Sequence, residues 1–577
     1  MFAFYKAFCY FCTPIDNTYK IVHKMKKKKI CLVLFVFICG MCLIAFKNDK
    51  HHFEVSKNLN VFNSIFKELD LFYVDTIQPG EVIRAGIDAM LEKIDPYTTY
   101  YSEDELDELR QMTTGKYAGI GSIIRLYKAR NRAVIFEPYE NTPAANAGLK
   151  VGDIILSIDG KDIEGMTIDK VSNMLRGDAG TTFVLRVERD SLPMEFNITR
   201  ENIQMPAVPY FGMLADGQTG YIYLESFTDK CSRDVRRAVI QLKEEGATRL
   251  ILDLRGNGGG LLNEAVEIVN LFVPKGLEIV STKGKLRQAC HVYNTSKEPL
   301  DTQLPLAVLV NSSSASAAEI VAGSLQDLDR AVIIGVRTFG KGLVQVPRDL
   351  PYNGQLKVTT SKYYIPSGRC IQAIDYQHRD ETGKAERIAD SLTNVFYTAA
   401  GREVRDGGGI RPDIEVKSEK QGTILFYLAN DDVLLDFGNK YMKKHPIVAE
   451  PGKLEITDSV YADFKQMVLD SGFSYDRQSK EALKKLKEVA EFEGYLKEAS
   501  AEFDALEKKL DHNLANDLDR YKEEIKPLIA VEIIKRTHYQ RGTIIQQIDS
   551  DNDIKEAVSL LGDSLRYRTI LSPIAKK

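Results

Sequence analysis

Between Gly220 and about Pro412 this 577-residue chain repeats one order of composition: an apolar run of strand length, a loop rich in Gly or Ser, then a run with helical spacing. Arg249 to Leu254 leads into Gly256-Asn257-Gly258-Gly259-Gly260 and on to Leu262 to Leu271; Leu306 to Val310 leads into Asn311 to Ser316 and on to Ala317 to Leu325. Alternation of this kind restricts the segment to an α/β layer whose functional groups lie in the loops after the strands. The whole chain is too long for one core, and its patterning divides it into an α+β multi-domain protein of about four folded units.

The expected units are an N-terminal extension with an export segment over 1–50, a helical domain over 51–112, a strand-rich module over 113–200, the α/β core over 201–420 and a helical domain over 421–577. The first helical domain rests on spacings such as Val61, Ile65 and Leu69, with a break at Asp95-Pro96. Strands are expected at Ser122 to Leu126, Ala133 to Glu137, Asp153 to Ile158 and Thr181 to Glu188, with a turn at Asp159-Gly160 and a helix over Thr167 to Leu175. In the tail, Leu483, Leu486 and Ala490, then Phe503, Leu506 and Leu510, keep helical spacing among interleaved Glu and Lys that read as a solvated face.

Hydrophobic residues at 44% and charged residues at 27% exclude disordered and polytopic membrane classes. A net charge of −4 argues against a nucleic-acid partner. Cys9, Cys12, Cys31, Cys39 and Cys42 fall in or before the first apolar run, so Cys231, Cys290 and Cys370 cannot build a disulfide framework. Lys24 and Lys26 to Lys29 precede the apolar run from Ile30 to Phe46, after which polarity returns; this is the order of a secretory signal or anchor. Met25 stands where such a segment would naturally start. With the lysines held in the cytoplasm, the chain is expected on the periplasmic side of the inner membrane, anchored by residues 30–46.

No His-Glu-x-x-His or Gly-x-Ser-x-Gly motif is present, and the histidines are scattered without ligand spacing, so a serine enzyme relying on His is poorly supported; that no metal or other cofactor is needed is what the family resemblance given below implies. Two loops remain as candidates. Ser316 closes the run Ser312-Ser313-Ser314-Ala315-Ser316 and precedes Ala317-Ala318-Glu319; taken alone, Ser316-x-x-Glu319 is also a helix capping box. Lys341 lies in Phe339-Gly340-Lys341-Gly342-Leu343-Val344-Gln345, and Gly335-x-x-x-x-Gly340-Lys341 nearly spells a phosphate loop. Gly342 stands where that motif needs Ser or Thr, and Leu343 to Val346 continues as strand. A Ser–Lys pair accounts for both loops together. A lysine acts as general base only when burial keeps it neutral, and the flanking glycines permit tight burial. An even spacing on an extended strand would put Gln345 on the same face as Lys341, where its oxygen could orient the amine.

Two resemblances add to this reading. The run Thr142-Pro143-Ala144-Ala145-Asn146-Ala147-Gly148-Leu149-Lys150-Val151-Gly152-Asp153 resembles a PDZ domain. It implies that Gly119, Ile120, Gly121 and Ser122 form a loop whose N–H groups capture a peptide's terminal carboxylate, while the peptide adds as a strand. The set Asp253-Leu254-Arg255-x-Asn257-x-Gly259-Gly260, Ser314-Ala315-Ser316-Ala317-x-Glu319 and Phe339-Gly340-Lys341-Gly342-x-x-Gln345 resembles the carboxyl-terminal processing peptidases, also called tail-specific proteases. That resemblance implies a crotonase-like protease core with an inserted PDZ module. Ser316 would be the nucleophile, Lys341 the general base, Gln345 its orienting partner, and Ala317 with Gly258 or Gly259 the oxyanion hole. Substrates would be proteins or peptides with accessible C-terminal tails, and Phe339, Tyr363, Tyr364, Pro366 and Gly368 would surround the channel. The helical tail could pair two copies, cage the active site or dock an adaptor, and its sequence does not choose among these; the rival reading of the whole chain is a catalytically silent PDZ scaffold that binds tails without turnover.

Overall fold

The computed structural model describes residues 50–416, 422–475, 478–510 and 514–572. The export segment expected over residues 30–46 lies outside them, and no helix among the described residues is long and apolar enough to cross a membrane. Among the described residues, those up to Met90 form one compact unit and those from Leu91 onward a second. The first contains a helix over 50–72 followed by most of Pro79–Glu92, and the Phe62 ring packs 3.9 Å from where a side chain on Gly86 would begin.

The second unit starts with strand β1 (Thr99–Tyr101) and helix α1 (Leu106–Thr114). The expected helical domain over 51–112 is therefore not helical throughout, because β1 pairs into a sheet of the core. Past Asp95-Pro96 the Thr and Tyr run favours extended backbone over helix. The strand-rich module follows as β2 (Ser122–Tyr127), β3 (Arg132–Pro138), β4 (Ile154–Ile158), helix α2 (Ile168–Leu175), β5 (Thr182–Arg189) and β6 (Leu192–Thr199). These strands pair in chain order, leaving β2 at an edge beside α2. Asp159 and Gly160 both have positive φ, as a tight hairpin turn requires. Thr167 caps α2 by accepting a hydrogen bond from Lys170 N.

The core continues through β7 (Tyr210–Met213), β8 (Thr219–Tyr223), α3 (Cys231–Glu244), β9 (Arg249–Asp253), α4 (Leu262–Asn270) and β10 (Glu278–Gly284). Then come β11 (Leu306–Val310), α5 (Ala317–Asp327), β12 (Val332–Gly335), β13 (Leu343–Asp349), β14 (Gln355–Tyr364) and β15 (Ile414–Glu415). One six-stranded sheet runs β7-β8-β9-β11-β12-β15, parallel except for its first pair. A second runs β1-β14-β10 to the strand His291–Asn294, with β13 on the other side of β14.

The central strands are apolar on both faces because both faces are covered. Leu250, Leu252 and Val308 pack under α3, α4 and α5, whereas Ile251, Ala307, Leu309 and Val332 meet Ile554, Ala557, Leu560 and Tyr567. The last four belong to helices α8 (Asn552–Gly562) and α9 (Ser564–Leu571); α6 (Asp432–Lys444) and α7 (Lys522–Ile548) precede them. The expected helical domain over 421–577 thus divides. Its first part builds its own core around Leu428, Phe437, Phe464, Leu518 and Ile529, and its last two helices complete the α/β sandwich. The strand-rich module docks on α6: Val134 and Val151 pack on Leu435, Tyr127 Oη donates to Asp436 at 3.0 Å, and Lys128 N donates to Asp432 at 2.7 Å.

Candidate active site

Ser316 lies where the loop after β11 turns into α5, with φ 55° and ψ −113°. A non-glycine residue at positive φ outside the left-handed helical well is strained and is held only by its surroundings. Three contacts hold it. Ser316 N donates to Glu319 Oε2 at 2.9 Å, Ala315 N donates to Asn257 O at 2.9 Å, and Ser314 Oγ donates to Leu254 O at 2.8 Å.

The Gly-rich turn after β9 comes up against this loop. A Cβ on Gly259 would stand 2.8 Å from Ser316 Cβ and 3.1 Å from Ala317 N, so only glycine permits the approach. Buried Asn257 sets the turn, donating from Nδ2 to Leu224 O at 2.8 Å and accepting from Gly259 N at 2.8 Å. The Gly259 N–H is therefore committed, whereas a Cβ on Gly258 would meet open space.

Lys341 reaches the same place from the loop between β12 and β13. The fully buried Glu319 carboxylate ties the two loops together: Oε2 accepts from Ser316 N and from Lys341 N at 2.9 Å, and Oε1 from Thr338 Oγ1 at 2.6 Å and Gly340 N at 2.8 Å. Burial pushes its pKa up to about 7 against the pull of those donors. The Tyr363 hydroxyl adds a second tie, donating to Lys341 O at 2.7 Å and toward Ser316 O at 3.2 Å. The glycines beside Lys341 are close-packed, a Cβ on Gly340 falling 2.3 Å from Ala373 Cβ and one on Gly342 2.8 Å from Gln372 N. Lys341 Nζ rests 4.3 Å above the Tyr97 ring. Burial, helped by the neighbouring Lys357 charge and opposed by Asp95 and Glu319, brings its pKa down to about 8.

Gln345 joins the site for a different reason from its sequence spacing. Lys341 precedes β13, and the β13–β14 register shifts between Val344 and Gln345, so a simple two-residue period does not relate them. Gln345 Nε2 donates to Thr359 Oγ1 at 3.1 Å, which leaves the carbonyl oxygen as the end that can meet an amine. Thr359 is held in turn by Thr98.

One cavity of about 700 Å³ is lined by Ser316, Ala317, Gly258, Gly259, Lys341 and Gln345 together. Tyr97 was not singled out by the sequence, whereas Asn257 and Glu319 stood in the motifs that carry the resemblance without a part in holding the two loops; Tyr363 was expected in a channel and also ties the two loops. Of the residues expected to receive a peptide, Gly119, Ile120 and Gly121 lie ahead of β2 and Ser122 is its first residue. Gly121 has φ 75° and a Cβ there would overlap Thr142, while the carbonyls of Ile120 and Gly121 accept from Ala144 N and Tyr139 N. Ser122 Oγ donates to Glu137 O at 3.1 Å.

The pattern of peptidase family S41 matches residues 218–379, which include Ser316, Lys341 and Gln345. That of the PDZ domain matches residues 134–189, and that of the C-terminal helical domain of probable PDZ-proteases matches residues 424–561. The carboxy-terminal-processing protease of Bartonella bacilliformis is 36% identical over 358 residues, 61% of this chain and 81% of that one. A probable CtpA-like serine protease of Staphylococcus aureus is 34% identical over 317 residues, 54% of this chain and 62% of that one. Among solved structures, the photosystem II D1 C-terminal processing protease is 25% identical, with a TM-score of 0.34 over 62% of this chain and 92% of that one. The Bartonella relative, matched over most of its length, and the S41 pattern spanning both loops agree: this chain belongs to the PDZ-containing carboxy-terminal processing peptidases of family S41, and is a serine-type peptidase.

Proposed function

We propose that the chain is an exported endopeptidase that captures protein C-terminal tails through its PDZ module and cuts them with Ser316, Lys341 and Gln345. The observation that carries this reading is the convergence of a strained serine and a half-buried lysine of depressed pKa on one cavity. Ser316 Oγ attacks the scissile carbonyl as the neutral Lys341 amine takes its proton, with Gln345 Oε1 orienting that amine. The Ala317 N–H and the uncommitted Gly258 N–H receive the oxyanion. The lysine then gives its proton to the leaving amine, and water, deprotonated by Lys341, releases the acyl group.

The Gly119 to Ser122 loop would receive the tail's carboxylate, with the peptide added to the free edge of β2. Export rests on the lysines before Ile30 and on the apolar run 30–46, and cell fractionation tests the periplasmic placement. Pairing through the helical parts would cover apolar side chains such as Leu486, Val489 and Phe492, all exposed in one copy, and sedimentation tests it. For the chemistry, the purified chain should degrade an unstructured protein with an apolar C-terminus, and Ser316→Ala and Lys341→Ala should each abolish turnover. Full activity in either variant refutes the pair.

A further inference from the structure

Three cationic side chains, Arg110, Lys341 and Lys357, line the cavity at Ser316, and among the described side chains no carboxylate does. Lys341 has its role in the reaction. Arg110 is exposed and pairs with Asp107 at 3.2 Å. Lys357 is different. It projects from β14, is half-buried, and its Nζ donates to the hydroxyl of buried Tyr101 at 3.1 Å. The structure gives it no carboxylate within ion-pair distance among the described residues. One of the three ammonium N–H groups is thus held by a neutral oxygen, and the charge is only partly solvated beside walls built from Leu109, Met112, Ile320 and Val344. An ammonium placed so is poorly compensated until an anion arrives, and a lysine accepts a carboxylate over a wide range of approach angles.

We propose that Lys357 is an anion subsite of the active-site cavity, which takes a carboxylate of the bound substrate: its free terminal carboxylate, or an Asp or Glu side chain on the segment that lies past Ser316. The inference rests on the Ser316–Lys341 reading and deepens it by naming a substrate class. The same charge disfavours a Lys or Arg at that substrate position, so selection comes from repulsion as well as attraction.

The test uses the full chain and one cleavable peptide in four forms: free C-terminal acid, C-terminal amide, amide with a single Asn→Asp change scanned along the sequence, and amide with Lys at that position. The wild type is expected to prefer an anionic form over the neutral amide by about tenfold in kcat/KM. In Lys357→Gln the preference should fall to what the PDZ loop alone contributes, in Lys357→Arg it should persist, and in Lys357→Glu it should turn toward the Lys peptide among the amides. The PDZ contribution is common to all variants and cancels when their ratios are compared. The form that loses its advantage identifies the source, terminal or side-chain. Acid-to-amide and Asp-to-Asn ratios that are both near unity in the wild type, or an unchanged preference in Lys357→Gln, overturn the subsite and leave the catalytic reading standing. A wild type that cuts none of the four forms sinks both. Should Lys357→Gln fail to fold, Lys357→Glu decides: an anionic preference as large as the wild type's overturns the subsite, and a smaller or reversed one supports it.

Discussion

At the scale of single residues, the proposed chemistry would run at a pH set by the pKa of Lys341. The groups around its amine are the Tyr97 ring, Lys357, Asp95 and Glu319, and burial outweighs the two carboxylates, leaving the pKa at about 8. An ammonium cannot take the Ser316 proton, so the competent fraction is small below pH 8 and complete above it. The acid limb of kcat/KM should therefore rise through about pH 8, well below the 10.5 from which the lysine starts. Below about pH 7 Glu319 also gains a proton and loses acceptor strength toward Ser316 N and Lys341 N, so the fall should become steeper than one proton. A profile flat from pH 6 to pH 9 would show that no such lysine is the base. Lys341→Arg, charged throughout, should stay inactive at every pH.

At the scale of elements, the site depends on two loops joined by one carboxylate. Glu319 on α5 accepts four donors, two through each oxygen, from its own helix start and from the loop before β13. In Glu319→Gln one oxygen becomes an NH2 group facing donors, so two hydrogen bonds are lost. At about 1–3 kcal/mol for each unsatisfied buried group, the loops should loosen measurably. The expected result is a Tm lowered by on the order of 5 °C or more and a kcat lowered by roughly a hundredfold or more. Wild-type values of both in a scan and a turnover assay would remove the clamp from the account. The same residues mark how far the sequence could be read. Strands such as Leu306–Val310 and the helix from Ala317 were legible because each apolar run ends in Gly or Ser, which punctuates the backbone locally. The use of Glu319 by the Lys341 loop, the register shift at Val344, and Tyr97 beneath the amine were not, since each arises from chain segments distant in sequence. The Ser316–Lys341–Gln345 set was proposed through two loops and a resemblance, while the strain at Ser316 and the committed N–H of Gly259 needed coordinates.

At the scale of the whole molecule, the end of the chain is part of the protease core. An amphipathic period says that a helix buries one face, and it is silent on which surface covers that face; the sequence therefore grouped α8 and α9 with the rest of the tail. In the fold they cover Ile251, Ala307, Leu309, Val332 and Ile334 with Ile554, Leu560, Leu561 and Tyr567, and the Tyr567 hydroxyl accepts from Leu306 N at 3.0 Å. Asp551 and Asp553, at the start of α8, bind Arg255 at 2.7 and 2.9 Å, directly before the turn that carries Gly258. At about 1.5–3 kcal/mol for each large apolar side chain buried, these four residues contribute roughly as much as the whole stability margin of a domain, about 5–15 kcal/mol. A chain ended after Asp549 should consequently lose the core and not merely an appendage. It should be recovered poorly in soluble form, bind a hydrophobic dye and show no cooperative thermal transition, whereas a chain ended at Ser572 should unfold as the full chain does. Arg255→Ala, with both helices retained, should keep the transition but slow turnover, because Asp253, Asp551 and Asp553 would then face one another without their cation and displace the Gly258 turn. If the chain ended after Asp549 were soluble, cooperative and active, the sheet would not need this cover, and α8 and α9 would have to be counted with the tail after all.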